Sequence, residues 1–196
     1  RTDVNCAFLA RRCFLNDMTE HTSLNRSPEL MNRDDTALVV VDVQEKLMPL
    51  IADHQRITWN IRRLLDGAAA LKVKVIATEQ YPKGLGGTLP ELKDRIAGDV
   101  PEKLHFSCGA CGELFTALAA ANIHKLLLVG IEAHVCVQQT ALDLIAAGFR
   151  VYLAVDAIGA RGDLDKQVAL RRMESSGATL TTTESALFEW CEQAGT

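Results

Sequence analysis

The stretch KLLLVGIEAHVCVQQTALDLIAAGFRVYLAVDA, residues 125–157, decides the fold. It opens with a short apolar run over 125–130, the pattern of a strand buried on both faces. Val137, Ala141, Leu144 and Ile145 then recur at helical spacing over 134–148, and Gly148 suits the position just past a helix end. RVYLAVDA (150–157) is a second apolar run. A strand, a helix of ten or more residues and another strand make a crossover between parallel strands, which packs back on its sheet with a right-handed turn.

The rhythm continues outward in both directions. TALVVVDV (36–43), VKVIATE (73–79) and ATLTTT (178–183) read as further strands. Helical spacing covers 54–71, through Ile57, Ile61, Leu64, Leu65, Ala68 and Leu71, and helices are also expected at 112–122, at 163–176 and from 184 onward. YPKGLGG (81–87) carries a Pro and three Gly and must be a loop. The expected architecture is α/β, a three-layer α/β/α sandwich around a mostly parallel, Rossmann-like sheet. One domain is expected over 36–196, preceded by an arm or extension over 1–35 that shows no clean period, although Met31 would make a natural start for a compact unit. A second reading makes the arm a targeting segment, because Arg1, Arg11 and Arg12 flank an apolar patch; Asp3, Asp17 and Glu20 weaken it.

Composition narrows the function classes. The 196 residues carry a net charge of −4, with 48% hydrophobic and 23% charged side chains. Mild acidity without a Lys/Arg cluster leaves no basic stripe for a phosphate backbone, so no nucleic-acid partner is expected. No apolar run approaches the roughly 20 residues that span a bilayer, so no membrane partner is expected either. The six cysteines, Cys6, Cys13, Cys108, Cys111, Cys136 and Cys191, read as reduced thiols of an intracellular, cytoplasmic protein.

In an open parallel sheet, ligands gather beyond the carboxyl ends of the strands, and three places there hold unusual residues. Asp42 interrupts the apolar VVVDVQ; it is either a cap on the following turn or an acid/base whose pKa its burial perturbs. Cys136 falls in the first helical turn after the strand ending at Gly130. There free N–H groups and the helix dipole are expected to lower a thiol's pKa, unless the residue is an inert buried cysteine. Lys103, in EKLHFS (102–107), is either solvated or a cation aimed at those two groups.

These residues, in this order, resemble the isochorismatase-like cysteine hydrolase superfamily, and most closely its isochorismatase domain-containing subgroup. VVDVQ, TEQYPKGLG, GIEAHVCVQQTALDL and ARGDLDKQVALRRMESSGA carry the likeness, which runs from about Ala37 to the last helix. The resemblance implies a six-stranded sheet, a homo-oligomer and a catalytic triad of Asp42, Lys103 and Cys136. It also implies a cis peptide between Ile131 and Glu132, with the N–H groups of Glu132 and Cys136 forming an oxyanion hole. The expected reaction is hydrolysis of an amide-like or ester bond of a small molecule through a Cys136 thioester. Nicotinamidase members bind a metal through a D-x-H cluster after the second strand, where this chain reads TEQYP (78–82), so no metal and no cofactor is expected. Isochorismatases proper cleave a vinyl ether without a nucleophilic cysteine, and retention of Cys136 points instead to acyl transfer.

Gln44, Tyr81, Phe106, His134 and Val137 are the candidate pocket residues, with plain core packing as the alternative for the aromatic pair. Two other classes of function stay open. Cys108-Gly109-Ala110-Cys111 could be a dithiol redox pair, or the fold could serve binding and assembly without catalysis.

Overall fold

The computed structural model describes residues 24–195. Most of the expected arm, with Arg1, Arg11, Arg12, Cys6 and Cys13, lies outside them. Leu24–Leu30 belong to a short separate segment in which the Leu30 N–H donates to the Ser27 carbonyl at 3.2 Å. The compact unit starts at Met31, whose side chain is buried in the core.

Six strands form the sheet: β1 (Thr36–Val41), β2 (Lys74–Gln80), β3 (Glu102–Lys103), β4 (Lys125–Ile131), β5 (Arg150–Gly159) and β6 (Thr179–Thr181). Their order is β3-β2-β1-β4-β5-β6, and every neighbouring pair is parallel. Five longer helices cover it: α1 (His54–Leu71), α2 (Gly112–Ala120), α3 (Gln138–Ala146), α4 (Asp163–Ser175) and α5 (Thr183–Cys191). β3 is only two residues long, too short to show any period, and it is absent from the strands expected from the sequence.

Alternation within β1 separates the two cores. Leu38 and Val40 join the layer beneath α1 and α5, with Ile57, Ile61, Leu64, Ala186 and Trp190. Ala37, Val39 and Val41 join the opposite layer, with Phe115 and Leu118 of α2, Ala141 and Leu144 of α3, and Ala169 and Met173 of α4. A strand covered on both faces has no polar side, which is why TALVVV contains almost nothing but aliphatic residues. Each fully buried Leu or Ile contributes about 1.5–3 kcal/mol relative to exposure.

Chain order reverses direction between β1 and β4, the centre of the sheet. At such a switch point the loops leaving the two strands part and open a crevice at their carboxyl ends. Gly130 draws the two strands together there. Its φ is +116°, and a Cβ on it would stand 2.1 Å from the Val41 carbonyl oxygen and 2.8 Å from the Val41 nitrogen. The β4–β5 register also shifts between Leu128 and Gly130. Among the described residues, no helix is long and apolar enough to cross a membrane.

Candidate active site

Asp42 leaves β1 with φ +51°, a left-handed conformation that Asp tolerates better than most residues. Its N–H donates to the Thr78 carbonyl at 3.2 Å, and its own carbonyl accepts from the Gln44 N–H at 2.9 Å. The chain is thereby turned so that the carboxylate stays inside. Lys103 Nζ, from β3, donates to Asp42 Oδ2 at 2.6 Å, with side-chain exposures of 1% and 0%. The same Nζ reaches Gln80 Oε1 and the Phe106 carbonyl at 2.9 Å each, and the His105 carbonyl at 3.3 Å. Oxygen acceptors therefore surround an ammonium that has only donors to offer. Thr78 Oγ1 donates to Asp42 Oδ1 at 2.8 Å, and the Cys136 thiol is close enough to the same carboxylate for each to shift the other's pKa.

Cys136 reaches Asp42 from a π-helical turn, Ala133–Val137, that precedes α3. The Val137 N–H donates to the Glu132 carbonyl at 3.2 Å, closing the wider turn. The sequence places this segment within one continuous helix, because a single extra residue barely disturbs a 3.6-residue pattern. Such π turns are rare and often occur at functional sites.

The electrostatics correct one expectation. Cys136 is not a thiol lowered by a helix terminus: burial first, and then the charge and hydrogen bond of Asp42, hold its pKa above the ordinary thiol value. Burial also raises Asp42, against the opposing pull of Lys103, Cys136 and Thr78. Both shifts point the same way, towards the protonated form of each group.

The Ile131–Glu132 peptide is cis. The Glu132 carboxylate turns to Arg161, accepting from its Nε at 3.1 and 3.2 Å, its guanidinium Nη2 at 3.0 Å and its backbone N–H at 3.0 Å. Burial pushes Glu132 upward, but the Arg161 bonds outweigh it and leave the carboxyl below its ordinary value.

The expected pocket residues part company. Gln44 is fully buried and acts as a clamp: its amide nitrogen donates to the Gln80 and Gly86 carbonyls, and its oxygen accepts from the Gln80 N–H. Val137 is fully buried in the core layer beneath the site. Tyr81 and Phe106 are half exposed, and Tyr81 lines a cavity of about 330 Å³ with Pro82, Lys83, Glu102, Lys103 and Leu104. His134 is partly buried, and its Nδ1 has no hydrogen-bond partner among the described residues.

Thr78 and Gln80 escape the sequence reading, and Cys108 enters it only as half of a dithiol pair. Thr78 and Gln80 carry the signal that marks Asp42, a polar side chain near the end of a buried strand. The Cys108 thiol lies 3.3 Å from Thr78 Oγ1, and its N–H donates to Thr140 Oγ1 at 2.8 Å. Burial, and next the charge of Asp42, push that thiol up to about 11. Cys108 is therefore tied to the Asp42 cluster and held as a thiol, unlike the activated sulfur a redox dithiol needs. Cys108, Cys111, Cys136 and Cys191 are all free. Among the described residues, no group of three or more His, Cys, Asp and Glu side chains is placed to hold a metal.

Comparison with known proteins gives the family. The isochorismatase domain profile matches residues 36–185. Isochorismatase domain-containing protein 1 of Danio rerio is 42% identical over 76% of this chain, which spans 52% of that protein's length. Among solved structures, the MAR1 ribonuclease of Caenorhabditis elegans is 40% identical with a TM-score of 0.78, covering 85% of this chain and 86% of its own. The YcaC gene product of Escherichia coli, described as an octameric hydrolase of unknown specificity, is 26% identical with a TM-score of 0.78, covering 86% and 85%. With a profile matched along most of its length, the chain belongs to the isochorismatase domain family.

Proposed function

We propose that the chain is a cysteine hydrolase that cleaves an amide-like C–N or ester bond of a small molecule through a thioester on Cys136. One observation carries the reading: a buried carboxylate that holds an ammonium at 2.6 Å on one side and the thiol of Cys136 on the other. A charge so enclosed is costly to fold around, and a base for the neighbouring thiol is a use that explains it.

Asp42 takes the Cys136 proton as sulfur attacks the carbonyl carbon, and Lys103 fixes the carboxylate throughout. The oxyanion rests on the N–H groups of Glu132 and Cys136. Collapse expels the amine or alcohol, which leaves with the proton held by Asp42. Water then attacks the thioester, giving its proton to Asp42; the acid departs and the proton returns to sulfur. Turnover of a panel of small amides and esters, with Cys136→Ala and Asp42→Asn as controls, tests this. Both variants are expected to lose at least about a thousandfold in rate, and full turnover by either overturns the assignment.

The name of the C. elegans neighbour supports a second reading, RNA cleavage. The net charge of −4 gives that reading little electrostatic help. Fragmentation of labelled single-stranded RNA that disappears in Asp42→Asn would establish it over the first. The octameric description of YcaC supports assembly of this chain as a homo-oligomer, which sedimentation velocity tests.

A further inference from the structure

Each oxygen of Asp42 has a side-chain donor of its own. Lys103 occupies Oδ2 of Asp42, and Oδ1 faces the Thr78 hydroxyl at 2.8 Å. A hydroxyl has one proton to give. With that proton on Oδ1, the contact between Thr78 Oγ1 and Cys108 Sγ at 3.3 Å is one in which the thiol donates and the hydroxyl oxygen accepts. Cys108 is completely buried, and its backbone N–H donates to Thr140 Oγ1 at 2.8 Å, which keeps that hydroxyl beside the cysteine. A line of exchangeable protons therefore runs from the Cys108 thiol through Thr78 to Asp42, all inside the core.

We propose that Thr78 and Cys108 are positioning residues for the base, a hydroxyl–thiol rotor that reverses when Asp42 takes the proton of Cys136. The inference rests on the reading of Asp42 as that base. While Asp42 is a carboxylate, Thr78 donates to Oδ1 and Cys108 donates to Thr78. Lys103 keeps Oδ2, so the proton from Cys136 arrives on Oδ1, and Thr78 loses the charge it was bonding. The hydroxyl then swings its proton to the Cys108 sulfur, its oxygen is free to accept from the Asp42 carboxyl, and the Cys108 S–H turns to Thr140 Oγ1. No covalent bond changes beyond the one proton transfer, and no buried polar group is left unpaired in either state. Leaving one unpaired would cost about 1–3 kcal/mol at each turnover. Sulfur suits the middle of the line because a thiol both donates and accepts weakly and so does not lock the rotor in one direction.

The test needs no substrate. Alkylation of Cys136 by iodoacetamide in the full chain is followed by peptide mass spectrometry across pH, with melting temperature recorded for each variant. The titratable groups around Asp42 are Lys103 from β3, Cys136 from the π turn, and Cys108 and Cys111 from the turn before α2. All but the substituted residue stay constant within each pair of variants. Thr78→Val, of the same shape, is expected to slow alkylation about tenfold, the worth of one hydrogen bond to a charged group, and to shift its pH midpoint; Thr78→Ser restores both. Cys108→Ala is expected to slow it several-fold and Cys108→Ser to recover most of the loss.

Wild-type rates in Thr78→Val, with Asp42→Asn slow, overturn the rotor and leave the base assignment standing. Wild-type rates in Asp42→Asn overturn both. Should Thr78→Val not fold, equal rates in the two Cys108 variants overturn the rotor.

Discussion

β1 is bracketed by two carboxylates, and each is paired with a lysine from another strand. Asp35, just before the strand, meets Lys125 Nζ at 2.8 Å, with side-chain exposures of 30% and 9%; Asp42, just after it, meets Lys103 in near-complete burial. The pairs are chemically alike and their carboxyls shift in opposite directions. Burial pushes Asp35 up, but the bonds from Lys125, from Thr36 and from the Asn32 N–H outweigh it, and its pKa ends below the ordinary value. At Asp42 burial outweighs a lysine and two further hydrogen bonds, and the value ends above. The opposite end of the sheet leaves the carboxylate of its ion pair partly exposed to solvent. The end that faces the crevice drives its pair into the interior, where an ionised carboxylate is least comfortable and most ready to accept a proton.

The largest expected effect attacks the buried pair. Lys103→Met strands the Asp42 carboxylate and should cost about 3–5 kcal/mol in urea unfolding, with loss of Cys136 alkylation. Lys125→Met at the wetter end should cost about 1 kcal/mol. Equal costs would erase the distinction between the two ends. Replacing both partners at once sharpens it: Asp42→Asn with Lys103→Met should recover the stability lost by Lys103→Met alone while leaving the chain inactive, as expected where a buried charge serves chemistry more than folding.

Gly130→Ala tests the strand approach that brings Glu132 and Cys136 to Asp42. The added Cβ collides with Val41 backbone, which cannot move aside as a side chain can, and about 1–3 kcal/mol or more should be lost. Gly148→Ala, at positive φ but with open space around its Cβ, should cost less. The comparison is read from denaturation midpoints.

The pH dependence of stability should run oppositely at the two ends of β1. For Asp35 the ionised form favours the fold, so its contribution is present above the unfolded carboxylate value of about 3.9 and vanishes as pH falls through the lower folded value. For Asp42 the protonated form favours the fold. Its contribution is complete below the unfolded value and is lost as pH rises through the folded one. The stability deficit of Asp35→Asn should therefore shrink towards acid, whereas Asp42→Asn should gain on the wild type as pH rises; parallel curves would contradict the opposed shifts. The smallest effect is expected from Arg161→Ala, a several-fold loss of turnover with partial return in Arg161→Lys, because the arginine touches the site only through Glu132.

Much of this was legible along the chain. Strands rich in valine and leucine reveal themselves wherever both faces are covered, and Asp42 stands out against that background because charge in such a run needs a reason. β3 does not, since two residues carry no period, and its importance lies wholly in where it delivers one lysine. The π turn is hidden for the opposite reason, being one residue of excess inside a strong helical pattern. Cys108 attracts attention as half of a C-x-x-C pair, but its real partners, Thr78 and Thr140, lie some thirty residues away on either side. The direction of the Cys136 shift is not legible, because the terminus of a helix is visible in sequence and the depth at which it is buried is not.

The beginning of the compact unit is fastened to its end. The Met31 N–H donates to Glu189 at 2.7 Å, and the Asn32 amide donates to Glu192, both on or just beyond the last helix. Polypeptide therefore enters and leaves the domain at one place on its surface. A domain hung from a single point can be threaded into a loop of another protein, or have its ends joined and be reopened at an exposed turn such as Gly98, without asking the sheet to change its order.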